Sequence, residues 1–376
     1  MNEFGEHPNS RRKFLGLSAA AAAVSAMGPR FSEAQSSRPT ERHVWVIARP
    51  ALDEEFKPDV LRWETRPLPA LKENQVLVRT VYIGMEPSVR NMLRLDDVST
   101  PVQMKVGDVM PGGGIGVIEE STSPKYKKGD AVLAGTGWAD YAALDAAFVR
   151  PPRAGVPLEA NMTVFNHIGI AAATGMLHIG NVQASDTVVV SSAAGATGSI
   201  AAQIAKGAGA HVIGIAGGAD KCKYLTDELK LDAAIDYKKE NVEESLKKLA
   251  PKGVTLFFDN VGGAMMDAVL MNLAPNARVA ICGQIALYNS GNRNDGQGVR
   301  NLMQLVFRTA RMEGFLNPPP ERRPEFEALF TRLLNEGKLK TRTHIVKGLE
   351  KAPEAFNMLF TGANEGKLMV EVSPLS

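Results

Sequence analysis

The sequence predicts an α/β protein in which a β-rich domain is joined to a domain built on a doubly wound parallel sheet. Three observations predict it. Between residues 40 and 160, short β-branched runs alternate with glycine, proline and asparagine, the punctuation of strands and tight turns. From Asp186 onward, short apolar strands alternate with helical segments of about ten residues, the rhythm of βαβ units on a parallel sheet. The chain is also 376 residues long, more than one hydrophobic core usually serves.

The N-terminus is set aside from fold reasoning. Ser10 to Val24 read "SRRKFLGLSAAAAAV": Arg11 and Arg12, then Phe14, then a mildly apolar run from Leu17 to Met27. That run is too short to span a bilayer, which takes about 20 residues. Small-residue triplets end at Ala26 and Ala34. In that order these features read as a twin-arginine export signal over residues 1–34, which predicts a periplasmic protein and the twin-arginine machinery as a partner. A cytoplasmic location follows if the segment is only a tail.

In the β-rich part, "ERHVWVIARP", "NQVLVRTVYIG", "GGGIGVIEES" and "GDAVLAG" read as strands, and "GWADYAAL" closes the run. After it come strand "DTVVVSS", helix "GSIAAQIAKGAGA" and strand "HVIGIAG". Helical "DKCKYLTDEL", "VEESLKKLA" and "AMMDAVLMNL" then alternate with strands "AAIDY", "VTLFFDN" and "ARVAICG". Residues 323–376 add helix "PEFEALFTRLLNEGKL", strand "HIVKG", helix "LEKAPEAFNMLF" and strand "KLMVEV". Their pattern alone leaves open which domain they join.

Composition narrows the partners. Lys plus Arg number 43 against 41 Asp plus Glu, a net charge of +2, so nucleic acid and anionic membranes are poor candidates. No later run is apolar enough for membrane insertion. The two cysteines, Cys222 and Cys282, form neither a disulfide framework nor a zinc knuckle and read as small buried residues. His167 and His178 match no metal-ligand spacing and read as helix-surface or core residues, so no metal is expected.

The chemistry centres on Val188 to Gly198, "VVVSSAAGATG". A strand ends, small residues turn, and a helix opens at Gly198, so backbone N–H groups and a helix N-terminus meet a pyrophosphate. Read as G-x-G-x-x-G, the first glycine is Ala193, while Gly195 and Gly198 remain. An NAD site places an acid about twenty residues further on. Ile215 to Gly218 hold none, and Asp220 reads as a helix cap. Lys221 can neutralise a 2′-phosphate and Tyr237 can hydrogen-bond it. The cofactor predicted is therefore NADP(H).

"SSAAGATGSIAAQIAK", "GIAGGADKCKYLTDELKLDAAIDYK", "FFDNVGG", "CGQIALYN", "GWADYAAL", "RMEGFL" and "GLEKAPEAFNMLFTGANEGKLMVEV" resemble the zinc-free medium-chain dehydrogenase/reductases of the prostaglandin reductase and curcumin reductase group. The resemblance implies a GroES-like domain over 40–160, a Rossmann domain over 161–322, and a return to the first domain over 323–376. It implies a homodimer and NADPH-dependent reduction of the C=C bond of α,β-unsaturated ketones or aldehydes. By match to the family's motifs, Ala194, Gly195, Ala196 and Thr197, with Gly198 behind them, take the pyrophosphate, and Lys221 and Tyr237 the 2′-phosphate. Asn260, Cys282, Gly283, Gln284, Ile285, Tyr288, Phe315, Leu316, Asn317 and Asn364 line the rest of the cofactor.

Reduction of an enone gathers negative charge on its carbonyl oxygen, which a positioned donor stabilises. Tyr288 is the candidate catalytic donor. Two rival readings share the cofactor site: a quinone reductase, and a non-catalytic NADPH-binding sensor. The sequence also departs from the family's usual pattern. "EPSVR" (Glu86–Arg90) stands for "DPYMR", "GIAAATGM" (Gly169–Met176) for "GMPGLTAY", and "NPPPERRPEF" follows "RMEGFL".

Overall fold

The computed structural model describes residues 38–51, 54–94, 103–290, 299–316 and 318–375. The export-signal segment and Asn317 lie outside them. Six strands come from the β-rich half: β1 (Glu41–Ile47), β2 (Leu61–Pro67), β3 (Gln75–Gly84), β4 (Gly114–Ser121), β5 (Ala131–Ala134) and β6 (Tyr141–Asp145). Strand β2, "LRWETRP", has no counterpart among the strands read from sequence. It pairs antiparallel with β1 and sets Trp63 opposite Trp45, their rings edge-on at 5.3 Å. Arg62, Glu64, Thr65 and Arg66 interrupt it, so it lacks an apolar strand signature.

The second sheet is entirely parallel. Its strands are β7 (Thr187–Val190), β8 (His211–Ala216), β9 (Ala233–Asp236), β10 (Val254–Asp259), β11 (Leu273–Ile281) and β12 (Arg311–Gly314). They lie in the order β12-β11-β10-β7-β8-β9, the doubly wound order in which strands run outward from the middle in both directions. Alternate side chains serve opposite faces. Val188 and Val190 pack with Ile200 and Ile204 of helix Ala196–Gly207, whereas Val189 packs with Leu246 and Met266 of the helices opposite. A sheet covered on both sides accounts for strands that are apolar at nearly every position.

The last two strands, β13 (Thr343–Lys347) and β14 (Lys367–Glu371), leave this sheet. They join the β-rich one, in the order β13-β14-β3-β4-β5 with β6 also on β3. Phe356, on the helix between them, meets Trp138 and Phe56 edge-on at 5.5 and 5.0 Å in that domain's core. The helix Arg323–Asn335 packs elsewhere, placing Phe326 and Phe330 against the nucleotide-side cluster. Among the described residues, no helix is long and apolar enough to cross a membrane.

The central helix starts at Ala196, two residues before the Gly198 expected from sequence, because Gly195 in extended conformation serves as its N-cap. Gly198 is needed for a different reason. A Cβ there would lie 2.2 Å from the carbonyl oxygen of Ser192, a backbone atom that cannot swing away. Only a bare Cα lets the helix approach the turn this closely. Gly198→Ala is therefore expected to cost about 1–3 kcal/mol, the usual range for forcing an extra methyl group into a packed site. Urea unfolding measures it, and an unchanged midpoint contradicts this packing.

Candidate functional site

The parallel strand order reverses between β7 and β10, and the turn after β7 lies at that point, where ligands bind in such sheets. Backbone bonds shape the turn. Ser191 N–H donates to Phe258 O (3.1 Å), Ala193 N–H to Ile215 O (3.0 Å) and Gly195 N–H to Ser192 O (2.9 Å), with Ser192 in the left-handed region at φ 49°. Gly195 offers no side-chain cap, and the helix's first internal bond reaches Gly195 O from Ser199 N–H. The amides of Ala196, Thr197 and Gly198 therefore stand at the positive end of a twelve-residue helix without helical partners.

From the other domain, Gly366 N–H donates to Ala194 O (3.2 Å), forming a short parallel bridge between Gly366 and Gly195. Two cavities of about 440 Å³ flank this junction and share Ser192, Gly195, Ile285, Leu359 and Asn364 in their walls. Together they form one cleft.

At one end of the cleft stand Lys221 and Tyr237. The Lys221 ammonium donates to Gly362 O (2.8 Å), a neutral acceptor, and retains donors for an anion. Burial, and then the nearby charge of Lys238, push its pKa down, against a smaller opposing pull from Glu365. An arriving phosphate would offset both effects. Tyr237 lies against Gly217, where a Cβ would come within 2.8 Å of its ring. Asp236, at the end of β9, is occupied with the amides of Gly218 (2.8 Å) and Lys238 (3.1 Å). The N-cap of the next helix is Gly218, not Asp220, which sits in the first turn.

At the other end, Asp259 terminates β10 fully buried. Its carboxylate accepts from Ser191 Oγ (2.7 Å), Val261 N–H (3.0 Å) and Gly262 N–H (2.9 Å), yet burial still raises its pKa. Beside it, Asn260 donates its side-chain amide to Ser191 O (2.7 Å). Tyr288 Oη accepts from Gln284 N–H (3.2 Å), leaving its own proton to donate into the cavity. Burial raises its pKa as well, which keeps that proton on.

Three polar side chains in the same wall were not singled out as site residues from the sequence. Lys367, 2% exposed, donates to Met85 O (3.1 Å) and pairs with Glu86, whose other oxygen lies 3.3 Å from His167 Nε2. Burial alone would raise Glu86; Lys367 and His167 override it and hold the carboxyl at about 2. Glu86 and Lys367 are 281 residues apart, so no local pattern joins them.

Comparison with known proteins bears on this geometry. A family described as "N-terminal domain of oxidoreductase" matches residues 43–151, and one described as "Zinc-binding dehydrogenase" matches 196–335. The chain is 34% identical to the NADPH-dependent curcumin reductase of Escherichia coli over 322 residues, 84% of this chain and 93% of that one. It belongs to the zinc-free medium-chain dehydrogenase/reductase family. It is likewise 34% identical to the NADP(+)-dependent 2-alkenal reductase of Nicotiana tabacum, covering 80% of this chain and 88% of that one. The crystal structure of CurA from Vibrio vulnificus in complex with NADPH superposes with a TM-score of 0.82 at 33% identity, over 88% of this chain and 99% of that one.

In this member of the family, the cleft walls include Ala194, Gly195, Ala196, Thr197, Gly198, Lys221, Tyr237, Asn260, Cys282, Gly283, Ile285, Tyr288, Phe315 and Asn364. Leu316 joins them at the mouth, 86% exposed. Gln284 is not among the lining residues: its side chain turns toward Gly262 and its amide serves Tyr288. Asn317 lies outside the described residues. Cys222 and Cys282 are half-buried rather than buried. His167 stands on a helix surface, in contact with Glu86. Of the family departures, Ser88 and Ala171 face the cavity, whereas Met176 is in the core. Among the described residues, no group of three or more His, Cys, Asp or Glu gathers to hold a metal ion.

Lys221→Ala should weaken NADPH binding by about 1.5–3 kcal/mol, the scale of a hydrogen bond to a charged group, and leave NADH almost unchanged. Fluorescence titration with both nucleotides measures this. Equal losses remove Lys221 from the 2′-phosphate.

Proposed function

We propose that this protein uses NADPH to reduce the C=C bond of α,β-unsaturated ketones or aldehydes, with the hydride ending on the β-carbon. The observation that carries the reading is a single cleft with different chemistry at its two ends. One end offers helix amides, Lys221 and Tyr237, with no acid at the end of β8. The other offers the Tyr288 hydroxyl. Two relatives, the curcumin and 2-alkenal reductases, support the reaction class.

The residues fit the cofactor. Gly195 and Gly198 clear the approach to the turn, the amides of Ala196, Thr197 and Gly198 face a pyrophosphate, and Lys221 with Tyr237 would hold a 2′-phosphate. When bound, NADPH supplies the hydride. Asn260, Cys282 and Phe315 would enclose its reactive end, and Asn364 the junction between the domains. Tyr288 donates its proton to the substrate's carbonyl oxygen, where charge accumulates as the β-carbon becomes bonded to hydrogen. The phenol is already oriented by Gln284 N–H, so little reorganisation is needed at that moment.

Mixing the protein with NADPH and a panel of enones, enals and quinones, while following absorbance at the nicotinamide band, tests the reading. Oxidation with enones and a saturated carbonyl product are expected. Hydroquinone formation with enones untouched would instead mark a quinone reductase. Tight nucleotide binding without oxidation would mark a sensor. Tyr288→Phe should lower the single-turnover rate by about 10²-fold or more, as loss of an oxyanion donor typically does, with nucleotide affinity kept.

Two further parts of the proposal concern the whole chain. The protein acts as a homodimer; the exposed Leu302, Met303, Val306 and Phe307, close in sequence to the edge strand β12, support an association there. Residues 1–34 direct twin-arginine export to the periplasm, a route that carries folded cargo and lets the cofactor be loaded beforehand. Nucleotide binding stabilises the folded state by RT ln(1 + [L]/Kd), which favours export of the loaded form. In fractionated cells, the native chain should be periplasmic and shortened, and an Arg11→Lys, Arg12→Lys variant cytoplasmic at full length. Retention of both in the cytoplasm refutes the export reading.

A further inference from the structure

Reduction of a C=C bond needs a proton at the α-carbon as well as a hydride at the β-carbon, and Tyr288 is assigned to the carbonyl oxygen. The wall facing the same cavity holds a second polar group. Asn166 caps the helix His167–Ala173 by accepting from Ile168 N–H (2.9 Å), which fixes His167 as its first residue. One imidazole nitrogen, Nε2, lies 3.3 Å from Glu86 Oε2; the other oxygen of Glu86 pairs with buried Lys367. This anchoring leaves Nδ1 as the donor.

His167 also lines two spaces at once. One is the cavity that contains Tyr288; the other is an adjoining groove of about 330 Å³ that it shares with Glu86, Arg150, Asn161 and Asn166. Its side chain is 66% exposed. An imidazole so placed can draw a proton from water on one side and release it on the other.

We propose that His167, oriented by Glu86, delivers the proton to the α-carbon of the substrate. The proposal rests on the reduction put forward above. As the β-carbon gains hydride, the C=C pair shifts to the bond between the α-carbon and the carbonyl carbon and the C=O pair moves to oxygen, giving an enolate hydrogen-bonded by Tyr288. The enolate pair then takes the proton from Nδ1 of the imidazolium at the α-carbon, the C=O bond re-forms, and water in the groove re-protonates the neutral imidazole. Glu86 is a positioning residue: its carboxylate beside Nε2 aims the ring.

The test uses 2-methyl-2-cyclohexenone, whose α-carbon becomes a stereocentre, with NADPH and the full-length protein. The wild type should give one enantiomer. His167→Gln should turn over about 10²-fold more slowly, the lower end of a positioned acid's contribution, and give both enantiomers as water delivers the proton. His167→Gly should regain rate with added imidazole, which a purely structural role would not allow. A variant that matches the wild type in rate and enantiomer ratio overturns the proposal while the reduction stands. If the wild type oxidises no NADPH with any enone, the reduction reading fails and this proposal falls with it. Independently of turnover, long-range ¹H–¹⁵N spectra of the nucleotide-free protein should show a proton on His167 Nε2. A neutral ring protonated only on Nδ1 overturns the Glu86 contact on which the proposal depends.

Discussion

The run from Gly362 to Lys367 ties the two domains to one binding site. Gly362 O receives the ammonium of Lys221, Asn364 donates to Gly366 O (3.1 Å), Gly366 N–H bonds the carbonyl of Ala194, and Lys367 is buried against Met85 and Glu86. A short stretch of backbone therefore sets the phosphate-end lysine, the turn between strand and helix, and the polar wall of the substrate cavity. The turn cannot be displaced without also disturbing β14, because Lys367 opens that strand. Lys367 and Glu86 are held together more strongly than surface charges are. Removing one partner of such a buried pair typically costs about 3–5 kcal/mol because the other is left uncompensated. That pair also sets an acid limit. With Glu86 held at about 2 instead of its ordinary 4.5, its contribution is complete above pH 4.5 and is lost as pH falls toward 2.

Much of the nucleotide-binding half was legible in the sequence. Its strands are apolar throughout because both faces of the sheet are covered, and its helices alternate with them at regular spacing. The turn "SSAAGATG" was legible because Gly198 is dictated by contact with backbone, which no side chain can relax. The helix start was misplaced by two residues because Gly195 caps without a side chain, so the usual Ser, Thr, Asp or Asn signal is missing. Strand β2 was missed because Arg62, Glu64, Thr65 and Arg66 break its apolar pattern. The wall formed by Glu86, His167 and Lys367 was not legible at all. It comes from β3's exit, a helix start and β14, which only the fold brings together.

The departures from the family's usual motifs have distinct structural consequences. Arg90 of "EPSVR" is fully buried and donates to Ala51 O (2.8 Å) and Glu54 O (2.6 Å), a scaffolding role for which the change of neighbouring residues is immaterial. Ser88 of the same motif faces the cavity, so the loss of an aromatic ring there is a change in the shape of the site. In "GIAAATGM" the corresponding tyrosine position is Met176, which packs under Phe258 and the helices and leaves the cavity wall to Ala171. The first motif thus changes the pocket, and the second changes both the pocket and the core.

Cys282 illustrates a constraint of another kind. Enones and enals, the substrates proposed here, alkylate thiolates, and a cysteine in the wall of the cavity that receives them is exposed to that hazard. Burial, with the carboxylate of Asp259 nearby, pushes the Cys282 thiol up to about 12, and burial likewise raises Cys222. Since the thiolate is the nucleophile, a sulfur kept protonated reacts slowly with an electrophile. The surroundings that bury the end of β11 thereby lower the reactivity of that sulfur.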